Sequence, residues 1–455
     1  MKSIAFHNLG CKVNGYEMEF MQQALREKGY PIVSFDEKAD VYIINTCTVT
    51  NIADRKSRQM IHRAKAQNPN AVVVAVGCYV QAGKEEALMD ESIDLAIGNN
   101  RKKDLIAILE EYLSGQQEEK GKGEDGKARQ KAVIIDISQT AEYEDMKISS
   151  AAEHTRAFVK VQDGCNQFCS YCIIPYVRGR IRSRGMEDAK EEVRRLAGQG
   201  YREIVLTGIH LSSYGMSGGN DFSQSRLLEL IQSVAGETQL PRIRLGSLEP
   251  RIITKEFIKG LKDCPGLCPH FHLSLQSGCD SVLKRMNRKY SAEEYYEKVC
   301  MLREAFCHPA ITTDVIAGFP GETPEEFLTT KEFVGKTGFY EMHVFKYSRR
   351  KGTAAAAMEG QIPEEIKSRR SSELLALGRE MSRSYRERHL HKQAEVLFEE
   401  EKEIGGRRFL TGFTREYIRA ALPAENLSPG EKTSGLVLKG ELTEFLEPDI
   451  LLFRL

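Results

Sequence analysis

The chain has 455 residues, with 65 Lys and Arg against 65 Asp and Glu, 41% hydrophobic and 29% charged residues, and 11 cysteines. That length is enough for about three domains; the zero net charge excludes a histone-like polybasic protein, and no run approaches the roughly 20 apolar residues of a membrane span. The opening residues lack the apolar core of a secretion signal, so the expectation is a cytoplasmic chain whose thiols stay reduced, and the 11 cysteines are poorly explained by disulfides.

The first 113 residues alternate short apolar runs (Ser3–Phe6, Val41–Asn45, Ala71–Val76, Ile93–Ile97) with helical patterns at Asn14–Lys28 and Ile52–Ala66. This alternation predicts a parallel sheet with βαβ crossovers, a Rossmann- or flavodoxin-like α/β domain over residues 1–113. Residues 114–131 are polar and Gly-rich. They cannot bury enough surface to offset their ordering entropy, so 114–150 reads as linker and connecting segment.

A second alternating series spans residues 151–390. Its strand runs are Ala157–Val161, Glu203–Leu206, Arg242–Leu245, His270–Leu275, Ile311–Ile316 and Glu341–Phe345, with helical patterns between them. Six βα units predict a partial (β/α)6 barrel. Pro363 opens a long charged helix to about Leu390. Over 391–455, five short strand candidates (Ala394–Phe398, Phe409–Phe413, Tyr417–Ala421, Gly435–Leu438, Ile450–Phe453) suggest a small antiparallel OB-like barrel.

Two cysteine patterns stand out. Cys165, Cys169 and Cys172 form Cys-x3-Cys-x2-Cys directly after the first strand of the second series. Three thiolates on one tight loop can hold three irons of a 4Fe-4S cube and leave the fourth iron open. Zinc held by the three cysteines and a distant ligand such as His154 is the other reading. Cys11, Cys47 and Cys78 are dispersed, but each ends or follows a predicted strand of the first domain. The C-terminal strand ends of a parallel sheet share one edge, so these cysteines can converge on a second metal site. The alternative is that each is a buried small hydrophobe. Further along, the turn Gly318-Phe319-Pro320-Gly321-Glu322-Thr323 ends a predicted strand. Gly318 and Gly321 allow close backbone approach to a ligand, while Thr323 with Glu326 fits a plain helix capping box.

The compact motif, with Tyr171 before its third cysteine, resembles the radical S-adenosylmethionine (SAM) superfamily. Together with Leu9-Gly10-Cys11-Lys12-Val13-Asn14, Asn45-Thr46-Cys47-Thr48-Val49-Thr50 and Val76-Gly77-Cys78-Tyr79, the whole chain resembles the methylthiotransferase family. That resemblance implies a radical SAM 4Fe-4S cluster on Cys165, Cys169 and Cys172, and an auxiliary 4Fe-4S cluster on Cys11, Cys47 and Cys78. It also implies SAM bound near Gly318 and Gly321, and a terminal RNA-binding TRAM domain. Gly10-Cys11-Lys12-Val13-Asn14 and Lys160 to Cys165 are most similar to the branch that methylthiolates carbon 2 of N6-threonylcarbamoyladenosine at tRNA position 37. Other branches act on isopentenylated adenosine or on a ribosomal-protein aspartate. A metal-stabilised RNA-binding protein is the non-enzyme reading. The implied partners are the tRNA anticodon stem-loop, an electron donor such as flavodoxin or ferredoxin, and a sulfur source, with no membrane.

Two RNA-contact expectations follow from the residues themselves. Arg178, Arg180, Arg182 and Arg184 alternate and would share one face of an extended segment, available to phosphate. Phe409, Phe413 and Tyr417 could stack on bases or fill the terminal barrel. Acidic residues outnumber basic ones in that barrel, so the basic stretch Tyr340–Lys392 is the better phosphate candidate. Cys264, Cys268, Cys279, Cys300 and Cys307 read as structural.

Overall fold

The computed structural model describes residues 2–119, 130–148, 155–219, 221–237, 240, 242–426 and 434–455. Six parallel strands open the chain: β1 (Ile4–Asn8), β2 (Ile32–Val33), β3 (Val41–Thr46), β4 (Val72–Gly77), β5 (Leu95–Ile97) and β6 (Lys131–Val133). They pair in the order β2-β1-β3-β4-β5-β6, a flavodoxin-like sequence whose ligands sit at the C-terminal strand ends. Every residue of β3 and β4 is buried, as expected where helices cover both faces of a parallel sheet. The two faces form separate cores, one around Ile43, Val74 and Leu109, the other around Ile44, Val73 and Ile61.

The segment expected to be linker is partly structured. The preceding helix runs on to Glu119, and β6 pairs in parallel with β5. Lys131-Ala132-Val133 is too short to register as a strand by pattern, and its pairing partner is the edge left open by β5. Residues 120–129 of that segment lie outside the described residues.

The central unit contains β7 (Arg156–Asp163), β8 (Arg182–Ser183), β9 (Glu203–Gly208), β10 (Arg242–Leu245), β11 (His270–His272), β12 (Ala310–Ala317) and β13 (Glu341–Lys346). Strands β7, β9 and β10 are parallel, as are β11, β12 and β13. Parallel bridges Ile243↔Leu267 and Leu248↔Leu273 join the two sheets, giving the six-stranded open barrel. One core of buried Leu, Ile, Val and aromatic side chains runs between these strands and their helices. Capping boxes at Ser291/Glu294 and Thr323/Glu326 start two of those helices.

The terminal strands β14 (Lys392–Ile404), β15 (Arg407–Thr414), β16 (Arg419–Pro423), β17 (Val437–Glu447) and β18 (Ile450–Arg454) close into a barrel in the order β14-β15-β16-β18-β17. Tyr417, expected in a strand, has φ +73 and lies in the turn before β16. The barrel is tied to the base of the central unit. Arg242 donates to Phe413 O (2.7 Å), Arg244 to Arg415 O (3.0 Å) and Arg156 to Tyr417 Oη (2.7 Å). Glu203 receives Arg244 at 2.7 Å and Arg156 at 2.9 Å. No helix among the described residues is long and apolar enough to cross a membrane.

Candidate functional site

The dispersed cysteines meet because sheet register places them together. Thr46 pairs with Gly77 across β3 and β4, so the next residues, Cys47 and Cys78, leave the sheet side by side. Cys11 caps the helix Lys12–Glu27. Gly10 has φ +116, and a Cβ there would lie 3.1 Å from Cys47 Cβ; only glycine permits this approach. Gly77 has φ +98 and backs onto Asn45 Oδ1 at 2.9 Å in the same sense. Cys11, Cys47 and Cys78 line one cavity of about 410 Å³. Burial pushes the Cys47 thiol up to about 11, and Cys78 and Cys11 push it in the same direction.

The compact motif follows β7. Its loop is fixed by Cys165 N–H to Gly179 O (3.0 Å), Ser170 N–H to Met286 O (3.0 Å), Cys172 N–H to Cys169 O (2.9 Å) and Asn287 Nδ2 to Phe168 O (2.9 Å). Cys165, Cys169 and Cys172 line a second cavity, of about 310 Å³, with Glu249, Ser274 and Asp314. Burial raises Cys165 well above the usual thiol range, with Cys172 and Cys169 adding to it, and burial and Cys169 raise Cys172 to about 12. Val49, Ile174 and Ile209 line both cavities. The two triads are therefore neighbours across a thin apolar wall.

The donor chemistry of the two triads suits a thiophilic centre: three cysteines line each cavity, and three thiolates can each take one iron of a 4Fe-4S cube. Cys11, Cys47, Cys165 and Cys172 are disfavoured as anions chiefly by burial, and such thiols ionise when a cationic centre binds them, so both donor sets fit iron–sulfur clusters. His154, the zinc alternative's fourth ligand, lies outside the described residues.

Each triad has a guanidinium at one sulfur. Arg288 donates from Nη1 to Cys169 Sγ (3.3 Å) and from Nη2 to Glu249 (2.8 Å). Arg178 donates from Nε to Cys78 Sγ (3.3 Å). Its terminal nitrogens reach Asn14 Oδ1 (2.6 Å), Glu17 Oε2 (3.1 Å) and Asp163 Oδ2 (3.3 Å). Glu17 also receives Lys160 at 2.9 Å and Lys102, and Lys160 bonds Asp163 at 2.7 Å. Despite its burial, Glu17 is held well below the usual carboxylate range by Arg178, Lys102 and Lys160. This buried charge cluster joins the first sheet to β7. Burial works against the Glu249 anion too, but Arg288, His210 and Arg251 hold its carboxyl at about 2.

The arginine row is not a phosphate surface. Arg178, Arg182 and Arg184 are buried and Arg180 alone is exposed. Arg178 ends the short helix Ile174–Val177 and turns to Glu17 and Asp163, while β8 pairs antiparallel with β7, Asp163 opposite Arg182, and Arg184, the residue after β8, meets Glu192. The barrel aromatics are also engaged. Phe409 is in its core, while Phe413 and Tyr417 stack at 4.6 Å beneath Arg156 at the seam with the central unit. The turn after β12 holds itself: Glu322 accepts from Gly318 N–H (2.8 Å) and Arg370 (2.6 Å). Gly318 and Gly321 do not line either cavity; Asp314 and Ile316, on the strand that precedes this turn, line the cavity of Cys165, Cys169 and Cys172. Pattern reasoning missed Glu17, Asn14, Glu249 and Arg288, since each acts through partners distant in sequence. All eleven cysteines are free of disulfides, and Cys264, Cys268 and Cys279 are buried.

The family model of the radical SAM superfamily matches residues 159–334, and that of the uncharacterized protein family UPF0004 matches residues 3–98. The chain is 39% identical over 441 residues to the threonylcarbamoyladenosine tRNA methylthiotransferase MtaB of Bacillus subtilis (strain 168), covering 96% of this chain and 94% of the relative. It is 40% identical to the protein of that name from Aquifex aeolicus (88% and 94% covered). The tRNA-2-methylthio-N(6)-dimethylallyladenosine synthase of Pelotomaculum thermopropionicum is 34% identical (89% and 88% covered). Among solved structures, the radical SAM methyltransferase TsrM of Kitasatospora setae superposes with a TM-score of 0.54 at 16% identity, over 78% of this chain and 77% of that one, a likeness of fold.

Proposed function

The chain belongs to the radical SAM methylthiotransferase family, and from that premise we propose that it replaces the C2–H of N6-threonylcarbamoyladenosine in tRNA by C–SCH3, at position 37 of the anticodon stem-loop. The observation that carries this reading is the pair of cysteine triads meeting across Val49, Ile174 and Ile209. Cys165, Cys169 and Cys172 hold the radical SAM cluster, and Cys11, Cys47 and Cys78 the auxiliary one. When bound, these clusters and SAM supply a hydrogen-abstracting radical and an iron site for sulfur, chemistry that amino-acid side chains lack.

The chain's own residues supply the setting. The loop bonds at Cys165, Ser170 and Asn287 fix the first triad. Arg288 is clamped by Glu249, so its donor stays on Cys169. Val49, Ile174 and Ile209 give the two cavities a shared apolar lining, and Ser274, Gln276 and Asp314 offer polar contacts to SAM or the base. The domain assignment is a cluster domain built on residues 1–113, the radical SAM core at 151–390 and the TRAM-like barrel at 391–455. Arg369, Arg379 and Arg388 are exposed on the long helix and its end, without an ion pair among the described residues, and serve tRNA phosphates. The reading adds a cytoplasmic setting, a reductant such as flavodoxin or ferredoxin, and an external sulfur source.

Mass spectrometry of tRNA nucleosides from cells with and without the gene tests the assignment. The expected result is 2-methylthio-N6-threonylcarbamoyladenosine only where the gene is present. Unchanged levels would refute the substrate.

A further inference from the structure

Arg178 follows Cys172 by a few residues, yet it serves the other triad. Its Nε lies 3.3 Å from Cys78 Sγ, and its side chain is 1% exposed. Arg288 is its counterpart at Cys169, also at 3.3 Å. In each cavity one cysteine sulfur thus accepts from a buried guanidinium, and both guanidinia come from the central unit.

Two reasons separate Arg178 from ordinary charge compensation. Glu17 also has Lys102 and Lys160, and Asp163 has Lys160, so Arg178 is not the sole partner of either carboxylate. And the nitrogen aimed at sulfur is the Nε, while the two terminal nitrogens are taken up by Asn14, Glu17 and Asp163. The fork is anchored so that one donor is left for the thiolate.

Reduction adds an electron, and therefore negative charge, to a cluster. A nearby cation and an N–H on a ligand sulfur stabilise the reduced form; hydrogen bonds to sulfur, net charge and solvent exposure set iron–sulfur potentials. We propose that Arg178 is a tuning residue that raises the reduction potential of the cluster held by Cys11, Cys47 and Cys78, coupling it to the loop that carries the other cluster. The proposal rests on the reading of those three cysteines as cluster ligands.

The test is an EPR-monitored redox titration of the full chain, reconstituted anaerobically, as wild type, Arg178→Gln and Glu17→Gln. Arg178→Gln removes the cation and the donor, so the midpoint of one cluster should move negative. Glu17→Gln removes an anion from the same site, so that midpoint should move positive. The other cluster should hold still in both. Two variants that shift in the same direction, or not at all, would overturn the proposal, because a merely structural role gives no reversal of sign. Should Arg178→Gln not accumulate, Arg178→Lys keeps the charge and loses the Nε donor; a smaller negative shift is expected, and none would overturn it. Iron analysis separates the premise from the proposal. About eight irons per wild-type chain fit two cubes, whereas about four would remove the second cluster and the proposal with it.

Discussion

The two cysteine triads reach the same chemistry by opposite routes. Cys165, Cys169 and Cys172 lie on one loop, and their geometry is set by local hydrogen bonds such as Cys172 N–H to Cys169 O. Cys11, Cys47 and Cys78 come from three strand ends, and their geometry is set by the register of a parallel sheet and two positive-φ glycines. A local site tolerates distant change, because its loop carries its own bonds. A dispersed site inherits every shift of the sheet that builds it. The comparison teaches that the auxiliary site depends on the integrity of the whole first domain and on the charge cluster that seats it on β7.

The largest expected effect lies on the loop side. Cys165→Ala, Cys169→Ala or Cys172→Ala should reduce 5′-deoxyadenosine formation from SAM to background in an anaerobic, reduced assay. Persistent cleavage in any of the three would break the assignment of that triad. Next, Glu17→Ala leaves Lys102, Lys160 and Arg178 short of a buried anion. Breaking such a cluster costs about 3–5 kcal/mol, read as a lower denaturant midpoint and loss of iron at the dispersed triad first. Equal iron loss at both triads would blur the contrast drawn above.

A third expectation concerns acid. Burial works against the Glu203 anion, but Arg244, Arg156 and Arg242 hold it down at about 2, below its ordinary 4.5. A carboxylate lowered in the folded state adds stability that is full above about pH 4.5 and is lost as pH falls toward 2. Thermal unfolding followed across that window should show the loss, and Glu203→Gln should flatten it while lowering stability at neutral pH. An unchanged acid profile in Glu203→Gln would contradict the role given to this seam between core and barrel. The smallest effect belongs to Thr323→Ala, which removes the N-cap of the helix Pro324–Thr337. It should cost about 1 kcal/mol and leave SAM affinity as it was, since that turn does not line the cavity. A large loss of SAM affinity would return the turn to the cofactor site.

Much of this was legible in the sequence, for reasons that differ by element. Strands β3 and β4 read clearly because parallel strands covered on both faces are near-continuous apolar runs; β10 falls on Arg242–Leu245 as expected, although its two arginines alternate with Ile243 and Leu245 and turn to the barrel seam. The dispersed cysteines could be joined because strand ends share an edge in such a sheet. Lys131–Val133 was illegible, since three residues carry no period and the strand exists only against β5. The arginine row misled because alternation identifies a shared face without saying whether that face meets solvent. Here it meets Asp163, Glu17 and Glu192. Tyr417 misled in another way: an aromatic β-former sits in a left-handed turn where it packs on Phe413.

The division of labour between the triads is the central claim, and Cys47→Ala tests it most directly. The anaerobic assay with SAM, reductant and tRNA should yield 5′-deoxyadenosine without any methylthiolated nucleoside, because the loop triad is intact and the sulfur-handling site is not. Loss of both products to the same extent would contradict the account.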